Sequence, residues 1–209
     1  MNNVVITIAR QYGSGGRTIG EMLAKKLNVH YYDKELMKLA SDDSGINEAL
    51  FVNADEKVKN TSLFHIARKE YHGELIPPES EDFTSMENLF NYQAKVIRQL
   101  AETESCVIIG RSADYILKDS DKINLLRAFI YAPDDVRIHN IMESHNLTEK
   151  DARILLLEKD KRYHKRHLAL TGSNRGDRHN RDMLIDSSLL GVDGTAELIE
   201  DVAKKIMNK

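Results

Sequence analysis

One segment constrains this chain more than any other. In Ile6-Thr-Ile-Ala-Arg-Gln-Tyr-Gly13-Ser14-Gly15-Gly16-Arg17-Thr18-Ile19-Gly20 an apolar run breaks into glycines and re-emerges with helical spacing. Val4, Val5, Ile6 and Ile8 suit a buried parallel strand, while Ile19, Met22, Leu23 and Leu27 recur on one face of a helix. Between them the backbone must turn sharply. Glycines allow positive φ and close approach of backbone N–H groups to an anion, and the positive end of the following helix points at the same spot. The segment predicts a strand, a phosphate cradle and a helix, and a nucleotide phosphate is its natural guest. A glycine-rich turn that binds nothing stands as the plainer alternative.

The cradle departs from the phosphate-loop pattern G-x-x-x-x-G-K-[ST]. Gly16 and Thr18 fit it, whereas Gln11 stands at the first glycine and Arg17 at the lysine. An arginine still grips phosphate, and does so through a two-pronged fork rather than a point charge. Thr18 would offer its hydroxyl to Mg²⁺. The dinucleotide pattern G-x-G-x-x-G fails at its third glycine, where Thr18 sits, which disfavours hydride transfer.

At 209 residues the chain can bury a sizeable core, and the reading is one domain over 1–209 carrying an insertion. A formal charge of −3 implies no general affinity for polyanions, so nucleic acid is not expected as a partner. The lone Cys106, in Cys106-Val-Ile-Ile, cannot close an internal disulfide, and it reads as a small buried hydrophobe in a reducing compartment. No signal sequence or membrane-length apolar run is present, so a cytoplasmic protein without membrane contact is expected.

Strand and helix patterns alternate along the chain. Asn28 to Tyr32 reads as a second strand, with Asp33 at its carboxyl end opening a helix. Residues 41–84 turn polar and weakly periodic, broken by Gly73 and Pro77-Pro78, and predict a mobile helical insertion. A helix over 85–104 precedes a third strand ending in Gly110-Arg111, and Asn124 to Ala132 forms a fourth. Thr148-Glu-Lys-Asp151 is a capping box, and its helix runs into a basic stretch. Met183 to Asp186 is the fifth strand, followed by a last helix. Such alternation predicts a parallel sheet covered on both faces, with ligands beyond the carboxyl ends of its strands.

Three elements beside the cradle could carry chemistry. Arg111 follows the third strand into that crevice, where it would meet an acceptor phosphate; as an alternative it simply starts a helix. Arg162 and Arg166 lie one helical turn apart in a basic stretch over 158–181, with a glycine-containing loop beyond that would let the segment swing. Arginines arriving with such a lid neutralise the charge spread over a transferring phosphoryl group. The plainer reading is a solvated helix face. Asp33 could orient an acceptor group or Mg²⁺-bound water, or serve only as a helix N-cap. His164, His167 and His179 lack carboxylate or cysteine partners at ligand spacing, which argues against a metal site.

Together these pieces resemble the nucleoside monophosphate kinases, and most closely the cytidylate kinase-like family of P-loop proteins. The carriers are Ile6-Thr-Ile with Gly13 to Thr18, Tyr31-Tyr32-Asp33, Ile108-Ile-Gly-Arg111, Ala132-Pro-Asp-Asp-Val-Arg137, Glu158-Lys-Asp with Arg162 and Arg166, and Leu184-Ile-Asp-Ser-Ser-Leu189. The resemblance implies an α/β three-layer P-loop NTPase fold with a five-stranded parallel sheet, a helical acceptor-binding insertion (41–84) and a lid (158–181). It implies transfer of the ATP γ-phosphate to CMP or dCMP with Mg²⁺. By that likeness Gly13, Ser14, Gly15, Gly16, Arg17 and Thr18 hold ATP, Asp33 and Arg111 bind the acceptor, and Arg17, Arg162 and Arg166 act on the transferring group. The chain departs where the base would be read. Asp33 is followed by Lys34 and Glu35 instead of Ser-Gly, Arg111 by Ser112 instead of Asp, and Tyr163 replaces a lid aspartate. The competing classes are a nucleotide-occupied switch that no longer transfers phosphate, a kinase of another small phosphorylated acceptor, and an RNA-binding patch over 159–181.

Overall fold

The computed structural model describes residues 3–56 and 74–207. Five strands, β1 (Asn3–Arg10), β2 (His30–Tyr32), β3 (Cys106–Ile109), β4 (Ile123–Tyr131) and β5 (Met183–Asp186), form one sheet in the order β2-β3-β1-β4-β5. Every neighbouring pair is parallel, and Ile6 aligns with Val107 on one side and Leu126 on the other. Parallel strands need crossovers, and the helices supply them: α1 (Gly16–Leu27), α2 (Glu35–Ser44), α3 (Glu48–Glu56), α4 (Met86–Thr103), the short α5 (Ala113–Ile116), α6 (Asp134–His145), α7 (Glu149–Thr171) and α8 (Ser187–Met207).

The two-residue period of the strands decides what each face meets. Val4, Ile6 and Ile8 point with Val107, Ile109, Leu126 and Ile130 toward Ile19 and Leu23 of α1 and Ile199 and Ala203 of α8. Val5, Cys106 and Ile108 point the other way, toward Leu36 of α2 and Leu89, Phe90 and Ile97 of α4. Each such fully buried aliphatic side chain contributes roughly 1.5–3 kcal/mol. A smaller cluster of Ile138, Ile141, Ala152 and Leu156 holds α6 against α7. Cys106 is fully buried, as expected of a hydrophobe, and burial pushes its thiol up to about 12.

Most elements follow the sequence pattern, with differences at their ends. Ser85 caps α4 by accepting from the Asn88 amide, and Thr148 caps α7 by accepting from the Asp151 amide. The second strand begins only at His30, because Asn28 takes a left-handed conformation that closes α1. The region expected as an insertion over 41–84 begins inside α2, and residues 57–73 of it lie outside the described residues. Among the described residues no helix is long and apolar enough to cross a membrane.

Candidate functional site

All strands run the same way, so their carboxyl ends deliver Arg10, Asp33 and Gly110-Arg111 to one crevice. The glycine loop sits beside it. Gly13 has φ +80°, and a Cβ there would lie 2.7 Å from the Arg137 carbonyl oxygen. Gly15, at φ +75°, turns the chain into α1.

The loop's outward carbonyls are consumed by the protein. Ser14 Oγ donates to the Gln11 carbonyl at 2.9 Å, Asn140 Nδ2 to the Gly13 carbonyl at 2.9 Å, and Ser187 Oγ to the Ser14 carbonyl at 2.8 Å. The Ala132 amide donates to Gln11 Oε1 at 3.3 Å, so the residue at the pattern's first glycine pins the loop to β4. What remains is the first turn of α1, whose amides have no partner within the helix. That turn has no acidic residue and no side-chain cap. Gly16, Arg17 and Thr18 therefore present N–H groups and a helix dipole to an external anion. Arg17 and Thr18 are exposed there.

The adjoining cleft, about 370 Å³, is lined by Arg10, Arg17, Asp33, Arg111, Arg162, Tyr163, Arg166 and Arg175, with Met37, Val52 and Ile109 among the apolar residues. The sequence-derived candidates Arg17, Asp33, Arg111, Arg162 and Arg166 thus share one cavity. Gly13, Ser14, Gly15, Gly16 and Thr18 form the cradle next to it. Asp33 is not the N-cap of α2, which has no side-chain cap. Its carboxylate pairs instead with Arg17 at 2.8 Å. Burial works against the Arg17 charge, but Asp33 and its neighbours outweigh that and hold the guanidinium above its usual range.

Two devices bring Arg111 inward. Gly110, Arg111 and Ser112 all have positive φ, at +67°, +58° and +53°. Non-glycine residues held this way cost about 1–3 kcal/mol each, and such strain concentrates at functional sites. Ser112 Oγ then lies 3.2 Å from Nδ1 of the buried His167, whose Nε2 is 3.3 Å from Ser173 Oγ. The bend after β3 is thereby tied to the end of α7 and the loop that follows it. Burial, and next the charge of Arg166, lower the Arg111 affinity for its proton to about 9, and burial and Arg162 lower that of Arg166 to about 10. These arginines crowd one another in a poorly solvated space.

The segment 158–181, expected from the sequence as a lid, is the second half of α7 with the loop that follows. Asp160 fastens it to the glycine loop, accepting from the Tyr12 amide at 3.1 Å and pairing with Arg137. Arg137 is 1% exposed and also donates Nε to the Tyr12 carbonyl at 2.9 Å. Farther along, Arg181 pairs with Asp114 in the interior and donates to the Arg175 carbonyl at 2.7 Å. Arg175 donates to the Arg10 carbonyl and lies 4.9 Å from the Tyr163 ring. The sequence reading gave no role to Arg10, Asp160, Arg175 or Arg181. Only the charge at the end of the apolar β1 run hinted at Arg10. Among the described residues no three His, Cys, Asp or Glu side chains converge to hold a metal.

The profile of the cytidylate kinase-like family matches residues 5–189. A cytidylate kinase of Thermococcus sibiricus (strain DSM 12597 / MM 739) is 29% identical over 105 residues, 49% of this chain and 52% of that protein. A cytidylate kinase of Pyrococcus furiosus is 29% identical over 105 residues, 49% of this chain and 53% of that protein. The chain spans about half the length of the curated relatives it matches. A crystal structure of an uncharacterized protein from Eubacterium ventriosum ATCC 27560 superposes with TM-score 0.69 at 26% identity, covering 97% of this chain and 99% of that one. A shikimate kinase from Bacteroides thetaiotaomicron superposes with TM-score 0.51 at 13% identity, covering 96% and 98%, which shows a shared fold. The α/β P-loop kinase fold expected from the sequence is therefore the fold observed.

Proposed function

The chain belongs to the cytidylate kinase-like family, and from that premise we propose that it transfers the γ-phosphoryl group of ATP to a small phosphorylated acceptor, with CMP or dCMP the first candidate. The observation that carries this reading is the convergence of Arg17, Arg111, Arg162 and Arg166 on one cleft beside an uncapped helix N-terminus. An acceptor phosphate oxygen attacks the γ-phosphorus, the bond to the bridging oxygen of the departing ADP breaks, and a diphosphate forms. An acceptor phosphate is already nucleophilic, so no side-chain base is needed. Catalysis is positioning plus neutralisation of charge on the transferring group.

In this reading the first turn of α1 takes the donor phosphates, and Arg111 takes the acceptor phosphate. Arg162 and Arg166 bracket the group in flight. Mg²⁺ fits as a companion of the nucleotide. No cage of three protein ligands exists among the described residues, while the exposed Thr18 hydroxyl on the cradle's first turn suits one position in a shell otherwise filled by phosphate oxygens and water. When bound, the ion would neutralise donor phosphate charge. A kinase active in a cytoplasmic, membrane-free setting accords with this reading.

The test is ADP production from Mg-ATP in a coupled assay with a panel of nucleoside monophosphates. Turnover with CMP or dCMP that disappears in Arg111→Ala supports the reading. Turnover only with another phosphorylated acceptor would keep the kinase and replace the base. Absence of ADP across the panel, with ATP still bound, would favour a nucleotide-occupied switch.

A further inference from the structure

One arginine of the cleft belongs neither to the phosphate-loop pattern, nor to the lid, nor to the acceptor side assigned to Arg111. Arg10 is the last residue of β1, and its position relative to two glycines is specific. A Cβ built on Gly16 would lie 2.6 Å from Arg10 Cβ and 3.0 Å from its Cγ. A Cβ built on Gly110 would lie 2.4 Å from an Nη atom of Arg10. One glycine clears the stem of this side chain and the other clears its head. The stem occupies the space that any side chain on the first residue of α1 would enter, and the head reaches the bend that carries Arg111.

This guanidinium has little to compensate it. Among the described residues no carboxylate is ion-paired with Arg10, in contrast to Arg17, Arg137 and Arg181. Its ring neighbour is Tyr163, 5.9 Å from the centroid, a ring shared with Arg162 at 5.5 Å and Arg175 at 4.9 Å. Burial lowers its proton affinity, opposed by Asp33 and Tyr163 and reinforced by Arg17. A half-buried cation in a poorly solvated cleft without a paired anion is costly unless a ligand supplies the anion.

Building on the phosphoryl-transfer reading, we propose that Arg10 is the cation that grips the γ-phosphate of the donor, delivered from the end of β1 across Gly16 instead of from the first turn of α1. Its stem crosses Gly16 of the cradle, where the other donor phosphates would lie, and its head reaches Gly110 next to Arg111, where the acceptor phosphate would lie. A planar fork there can bind two γ-phosphate oxygens at once. The arrangement explains why Gly16 carries no side chain. It leaves Arg17, paired with Asp33, free for the acceptor side of the cleft.

The test compares ATP with ADP, each with Mg²⁺, by calorimetry on the full chain, alongside turnover with the acceptor that the panel identifies. Arg10→Ala should lose on the order of 10-fold or more in ATP affinity with ADP affinity nearly unchanged, and turnover should fall on the order of 10²-fold. Arg10→Lys, which keeps a cation and most of the stem, should recover part of the ATP preference. The double variant Arg10→Gly with Gly16→Lys, which moves the cation to the helix through the vacated space, should recover more than Arg10→Gly alone. Equal weakening of ATP and ADP in Arg10→Lys, with a lowered unfolding midpoint, would mean a structural role and overturn the proposal. Loss of ATP preference in Arg10→Ala without turnover by the wild type would support Arg10 as a γ-phosphate ligand while removing the kinase reading. A wild type with no preference for ATP over ADP would overturn the proposal, and turnover would then decide the kinase reading separately.

Discussion

Arg137 and Arg181 on one side, and Arg10, Arg162 and Arg175 on the other, are the same residue type in two situations. Arg137 and Arg181 are nearly inaccessible, and each is matched by a carboxylate, Asp160 or Asp114. The other three face the cleft, and none has an ion-paired carboxylate among the described residues. They share a tyrosine ring, and the Nε of Arg162 is buried without a partner, as is that of Arg181 on the paired side. A buried guanidinium with a carboxylate holds chain segments together; one without a carboxylate, in the proposed reading, takes its anion from outside. The lesson is that function here is read from the missing counter-charges, and stability from the ones supplied.

The largest effect expected from this contrast is on the paired side. Asp114→Ala leaves Arg181 buried and uncompensated and should cost about 3–5 kcal/mol in urea unfolding at neutral pH. A loss below about 1 kcal/mol would erase the distinction between the groups.

The next effect is pH-dependent. Burial is the main reason the His167 ring holds its proton only below about 4, opposed by Asp114 and reinforced by Arg181 and Arg175. In the unfolded chain an ordinary histidine binds its proton below about 6.5. The unfolded state therefore takes up the proton first, and the stabilising contribution present above pH 6.5 is lost as pH falls toward 4. Relative to His167→Gln, wild type should lose about 2–3 kcal/mol of its advantage between pH 7.5 and pH 4.5, measured by urea unfolding at both values. A constant difference between the two proteins would refute the assignment.

On the cleft side the currency changes from stability to rate. Arg162→Ala should lower turnover on the order of 10²-fold, equivalent to about 2.7 kcal/mol of barrier, while unfolding shifts by less than about 1 kcal/mol. The smallest effect separates the cradle's backbone from its side chains. Ser14 points its hydroxyl into the protein, toward the Gln11 and Ile130 carbonyls. Ser14→Ala should destabilise by about 1 kcal/mol and leave ATP affinity within roughly threefold. A large loss of affinity without destabilisation would place that hydroxyl on the ligand.

The sequence disclosed whatever is periodic or local. Strands, the caps at Ser85 and Thr148 and the turn at Gly13 to Gly16 follow from residue patterns within a few positions, and these suffice for the sheet and the cradle. Arg162 and Arg166 were legible because a helix places i and i+4 on one face. Arg10 was not, since its partners Gly16 and Gly110 converge only when β1 and β3 pair and α1 packs back. The same holds for Arg137 with Asp160 and Arg181 with Asp114, whose separations of 23 and 67 residues carry no local signal. Asp33 shows the converse: open in sequence between a helix N-cap and a site residue, it is turned by the fold toward Arg17.

The most direct test of the central claim is urea unfolding of wild type and Arg162→Ala, each with and without saturating Mg-ATP. Ligand binding stabilises the folded state by RT ln(1 + [L]/Kd), about 2.7 kcal/mol at a hundredfold excess over Kd. Without nucleotide the two proteins should unfold within about 1 kcal/mol of each other, and with it wild type should gain clearly more than the variant. If Arg162→Ala instead loses several kcal/mol without nucleotide and then gains as much as wild type from it, the cleft arginines are structural, and the division between paired and waiting guanidinium groups is wrong.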